Sequence, residues 1–131
     1  MKISLPGKPV PKHRPRFTKK GHAYDDQAKI MDEIAYLIRT QCDLSCPYRI
    51  PVSLSIIFFM PIPKSLSKKK QMELSGTPHL KRPDLDNYLK TYGDCIVKAG
   101  NVITDDAIIA EIHAAKIYST QPRTEIIITP I

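Results

Sequence analysis

Residues 84–100 read DLDNYLKTYGDCIVKAG, and the fold turns on them. Leu85, Tyr88, Leu89, Tyr92, Ile96 and Ala99 recur with a 3.6-residue period, so one face of a helix is apolar. Gly100 stops that helix. Pro83 holds Arg82 extended, which makes Asp84 the residue that opens the helix. Asp86, Lys90 and Asp94 share the face opposite the apolar stripe.

Upstream, VSLSIIFFM (52–60) begins as alternation and ends as a continuous apolar run. A strand buried on both faces, central in a sheet, is expected there. Downstream, AIIAEIHAAKIY (107–118) alternates Ile108, Ala110, Ile112 and Ala114 on one face, as a strand does. TEIIITPI is a last strand and KISL a first one, with NVITDD read as a turn. DDQAKIMDEIAYLIRTQ (25–41) is a second amphipathic helix with acids in its first turn. Its apolar face holds Ile30, Met31, Ile34, Ala35, Leu37 and Ile38. SLSKKKQMELSG is a short capped helix ended by Gly76. The expected fold is α/β (α+β): one domain over residues 1–131, a mixed β-sheet with helices packed on it.

The remaining long stretch, PGKPVPKHRPRF, holds four prolines and cannot be a helix or a central strand. It carries Lys8, Lys12, His13, Arg14 and Arg16, and Lys19 and Lys20 follow. This basic, semi-stiff arm is a candidate for binding DNA, as are Lys81 and Arg82 ahead of the long helix. Lys and Arg number 20 against 13 Asp and Glu, a net charge of +7, which points to a polyanionic partner. The longest apolar run is about ten residues, against the ~20 that cross a bilayer, and Pro6 and Gly7 interrupt any signal peptide. A cytoplasmic protein without a membrane partner is expected. The three cysteines have no framework or zinc spacing and read as reduced thiols.

Acids in the middle of this basic chain need an explanation. The plain one is structural: Asp84 caps the helix, Asp86 suits its dipole, and Asp86 pairs with Lys90 four residues on. The chemical one is a magnesium site. Hard divalent cations take oxygen ligands, and Mg²⁺ keeps few protein ligands and several waters. A second acidic pair, Asp105 and Asp106, follows the helix. The helix runs ~24 Å, so the following strand must return antiparallel beneath it for those acids to approach Asp84. An Asp-x-Asp of the haloacid-dehalogenase kind would follow an apolar strand, and that of glycosyltransferases a longer nucleotide-binding fold. Neither fits.

RPDLDNYLK, TYGDCIVKAG and DDAIIAEIHAAK, with the opening ISLPGKPVPKHRPRF, resemble the RusA family of Holliday-junction resolvases over nearly the whole chain. The resemblance implies a homodimeric, Mg²⁺-dependent endodeoxyribonuclease, with Mn²⁺ as a substitute. It would resolve four-way branched DNA by paired phosphodiester hydrolysis in recombination and repair. Asp84 and Asp86 would bind metal and Lys90 would be the catalytic lysine. The spacing to Lys116 makes Asp106 the third acid, whereas an ungapped match from Gly100 would choose Asp105. Two rivals stand beside this reading: a nuclease for flaps or forks, and a non-catalytic basic binder whose acids are only caps and ion pairs.

Overall fold

A computed structural model describes residues 1–13, 16–24 and 26–131, the side chains of Arg16 and Tyr24 excepted. The chain runs β1 (Lys2–Pro6), β2 (Arg16–Phe17), β3 (Ala23–Tyr24), α1 (Ala28–Gln41), β4 (Val52–Pro61), α2 (Lys68–Leu74), α3 (Leu85–Ala99), β5 (Ile109–Ser119) and β6 (Arg123–Pro130). A short 3₁₀ turn, Asp106–Ile108, leads into β5. The main sheet has the order β1-β6-β4-β5, with β4 and β5 parallel and the other pairs antiparallel. β2 and β3 form a separate two-stranded ribbon. The single-domain mixed sheet with packed helices agrees with the sequence reading.

β4 is central, as its composition predicts, yet only one of its faces is closed. Val52, Leu54, Ile56, Phe58 and Met60 are buried, while the alternate residues are half-buried and Ile57 is exposed. The apolar run therefore does not mark burial on both sides: the helices cover one face and leave the other open. Part of the open face is screened by Arg123, whose guanidinium lies 3.7 Å from the Phe59 ring centre.

On the closed face α3 packs by the predicted stripe. Tyr88 and Tyr92 set their rings 5.4 and 5.5 Å from that of Phe58. Cys95 is wholly buried between the long helices, its Sγ donating to the Met31 carbonyl at 3.6 Å, and burial pushes its thiol up to about 12. Gly100 closes α3 in the left-handed conformation (φ 82°), which its missing Cβ permits.

Three further expectations need correction. The first turn of α1 holds no acid, because the helix starts at Ala28 behind Gln27. The buried Gln27 instead ties down the arm, accepting from His13 N at 2.7 Å and donating to Pro11 O at 2.8 Å. Ile30 and Leu37 lie at the exposed margin of the α1 stripe, and Met31, Ile34, Ala35 and Ile38 carry the packing. The stretch read as a turn at 101–106 buries Val102 and Ile103, because Ile103 bridges to Tyr48, whose N–H donates to Val102 O at 2.8 Å.

Candidate active site

The link from β4 through α2 and α3 to the parallel strand β5 is a crossover, so α3 runs antiparallel to both strands. That return brings the acid pair at the start of β5 alongside the polar face of α3. Between them lies a groove of about 280 Å³ lined by Asp86, Lys90, Gly93, Asp94 and Asp106, with Leu54, Leu89, Ile109 and Ile112 as apolar floor. Ile112 falls on the helix-facing side of β5, in register with Leu54, yet is 51% exposed, on the edge strand of the sheet. Gly93 widens the opening. A Cβ placed there would meet nothing within 4 Å.

Lys90 donates to Asp94 Oδ1 at 3.0 Å, one turn along the helix. The bond to Asp94, that residue's charge and, more weakly, the charge of Asp106 raise the lysine's pKa. The Asp86–Lys90 pair expected from spacing does not form, because the ammonium turns toward the C-terminal carboxylate. Asp105 caps the 3₁₀ turn by accepting from Ala107 N at 3.0 Å. That bond, followed by one from the Asp106 carboxyl, lowers the pKa of Asp105. Asp106 is shifted upward, first by its hydrogen bond with Asp105, with desolvation and the charge of Asp105 adding, while Lys90 opposes.

Asp84 is the backbone N-cap of α3 (φ −68°, ψ 153°) but makes no side-chain capping bond. The structural explanation of this acid is therefore not realised. Asp84 does not line the groove either: the antiparallel return sets Asp106 beside Lys90 and Asp94 rather than beside the first aspartate.

The basic residues divide. The arm lies docked along α3, where Lys12 N donates to Asn87 O at 3.0 Å and Val10 N to Tyr92 Oη at 3.0 Å. Lys12 points inward, 4.0 Å from Asp94 Oδ2, and His13 stands 3.6 Å from Asp26. Lys19 and Lys20 are exposed at the turn of the β2–β3 ribbon, and Lys81 and Arg82 are exposed at the approach to α3. Arg14 and the Arg16 side chain lie outside the described residues. Sequence reading placed Asp94 on the right helix face without giving it a role, and it missed the apolar floor.

A family profile described as "Endodeoxyribonuclease RusA" matches residues 6–129. The chain belongs to the RusA family. A relative in Bacillus subtilis (strain 168), "Uncharacterized protein YqaN", is 29% identical over 139 residues, spanning 100% of this chain and 96% of that protein. The RusA match spans every element that builds the groove, from β4 to β5. Among the described residues, no helix is long and apolar enough to cross a membrane.

RusA-family membership turns attention to a divalent metal. Among the described residues no three acid, cysteine or histidine side chains stand together as a ready-made ion cage. Mg²⁺ does not require one, since it is held by one or two carboxylates with water and phosphate completing its shell. Asp86 and Asp106 offer oxygen donors of the right kind on opposite walls of one groove.

Proposed function

We propose that this protein is a metal-dependent endodeoxyribonuclease that resolves four-way DNA junctions as a homodimer. The observation carrying the proposal is the groove, in which a RusA-family chain brings Asp86, Lys90 and Asp106 together from two separate elements. An accidental set of caps and surface pairs has no reason to converge on one concavity. Asp86 and Asp106 would hold the ion; Asp84, the further acid that the family resemblance implies, caps no amide and stands just outside the groove, at the head of α3. A bound magnesium would supply an activated water and neutralise charge on the scissile phosphate.

The remaining chemistry belongs to the chain. Lys90, steered by Asp94, would place its ammonium against the charge that develops on phosphorus. Leu54, Leu89, Ile109 and Ile112 present a floor that offers bulk water few partners. Lys19, Lys20, Lys81 and Arg82 would hold phosphates flanking the cut, supplying affinity rather than chemistry. Arg14 and Arg16 join them on sequence grounds, whereas Lys12 and His13 face acids of the protein itself. Two copies related by a two-fold axis would deliver paired nicks to a substrate of matching symmetry.

The test is a panel of synthetic four-way junction, flap, fork and linear duplex, each with Mg²⁺, with Mn²⁺ and with EDTA. Paired cuts confined to the junction, and lost in EDTA, are expected. Preference for flaps or forks would replace the substrate, and binding without cleavage in any metal would leave a basic DNA-binding protein.

A further inference from the structure

The chemistry proposed above leaves Lys116 without a task. It lies on the helix-facing side of β5, in register with Phe58, and is half-buried. Its ammonium donates to Lys81 O at 2.8 Å and to Pro83 O at 2.9 Å. Both carbonyls belong to the turn immediately ahead of Asp84. The chain leading into that turn is already stitched to β5 through its main chain. Gly76 N donates to Tyr118 O at 2.8 Å, Tyr118 N to Thr77 O at 3.0 Å, and His79 N to Lys116 O at 2.9 Å. Past His79, among the described residues, the two ammonium bonds carry the attachment on to Pro83. Hydrogen bonds from a charged donor are roughly twice as strong as neutral ones.

We infer that Lys116 is a positioning residue: it clamps the 81–83 turn to β5 and so fixes the start of α3, with Asp84 and Asp86, relative to Asp106. The inference rests on the reading of the groove given above. β5 serves as a common ruler, with Asp106 just ahead of its first residue and Lys116 in its far half. Without the clamp, Tyr88, Tyr92 and Ile96 still bury α3 against the sheet. Only the approach and the first turn gain freedom, and a misplacement of about 1 Å at a reacting centre can cost ~10²-fold in rate.

Two variants and two measurements test the clamp. Lys116→Met keeps the aliphatic stem and removes every donor; Lys116→Arg keeps charge and donors. Amide hydrogen exchange over residues 80–88, with α1 as internal reference, reports the clamp independently of activity. Lys116→Met is expected to speed exchange over 80–88 and leave α1 unchanged. It should also slow single-turnover junction cleavage about 100-fold with unaltered junction affinity. Lys116→Arg should recover part of both. Wild-type exchange over 80–88 in Lys116→Met overturns the clamp whatever the activity does. Faster exchange in α1 as well, or faster 80–88 exchange with normal cleavage, overturns the positioning role. Should the methionine variant not fold, Lys116→Gln, too short to reach both carbonyls, repeats the measurements. If the wild-type protein cuts no junction, the reading of the groove fails, and the exchange arm still decides the clamp.

Discussion

α1 and α3 are nearly the same object in the sequence and do different work in the fold. Both carry an apolar stripe of 3.6-residue period, both pack on the closed face of the sheet, and they touch each other through Cys95 and Met31. The contrast lies in what their polar sides meet. Asp32 of α1 pairs with Lys98 of α3, an exposed contact of the kind worth about 0–1 kcal/mol. The polar face of α3 instead meets a second chain segment, the 3₁₀ turn with Asp106, across a groove. An amphipathic pattern fixes which side of a helix is buried. The topology beyond it decides whether the other side faces solvent or chemistry.

The contrast breaks most visibly at the groove's far wall. Asp106→Asn should reduce junction cleavage by at least about 10³-fold, the upper range for losing one electrostatic stabiliser. Asp105→Asn should cost far less, because Asp105 is engaged in capping the 3₁₀ turn. Asp32→Asn on α1 should leave cleavage unchanged. A larger loss at Asp105 than at Asp106, in single-turnover assays of the three proteins, would transfer the role between neighbours.

Lys90 comes next. As a surface partner of Asp94 alone it contributes about 0.5 kcal/mol at most, and its removal would leave activity intact. In the groove, Lys90→Ala should cost on the order of 10² to 10³ in rate with a nearly unchanged melting temperature. Lys90→Arg should recover only part, since a guanidinium differs in reach and donor geometry. Normal melting together with normal cleavage in Lys90→Ala would return the lysine to the surface-pair account.

Gly93 gives the smallest and most diagnostic effect. A glycine inside a helix costs about 1 kcal/mol relative to alanine, and space for a Cβ is open here. Gly93→Ala should therefore raise stability by about 0.5–1 kcal/mol while slowing cleavage severalfold, because the added methyl enters the groove. Thermal melts and cleavage rates on one preparation measure both. Higher stability with unchanged rate would mean the substrate passes elsewhere.

The parts legible in the sequence are those set by local periodicity. The α3 stripe, the strands β4 and β6 as elements and the stop at Gly100 follow from side-chain spacing and backbone freedom, whereas the one-sided burial of β4 did not. What stayed hidden depends on which elements come to lie side by side. Ile112 reads as core by alternation and lies on the core-facing side, yet it is exposed because β5 is the edge strand beside the groove. Val102 and Ile103 sit in a turn-like stretch and are buried because Tyr48, more than fifty residues earlier, reaches them. The distance between Asp84 and the groove, and the reach of Lys116 back to Pro83, come from the antiparallel return of β5, which spacing allows without fixing. The acids themselves were legible through their pattern, and their convergence was not.

Phosphodiester hydrolysis at the polar face of α3, as proposed, stands or falls with Asp86. The most direct test is single-turnover cleavage of a synthetic four-way junction by Asp86→Asn in Mg²⁺ at saturating protein, with junction binding and thermal melting measured in parallel. The expected result is a folded protein that binds the junction at least as tightly as wild type, since a repulsive charge near phosphate is gone, and fails to cut it. A folded Asp86→Asn protein that cuts at the wild-type rate would contradict the claim.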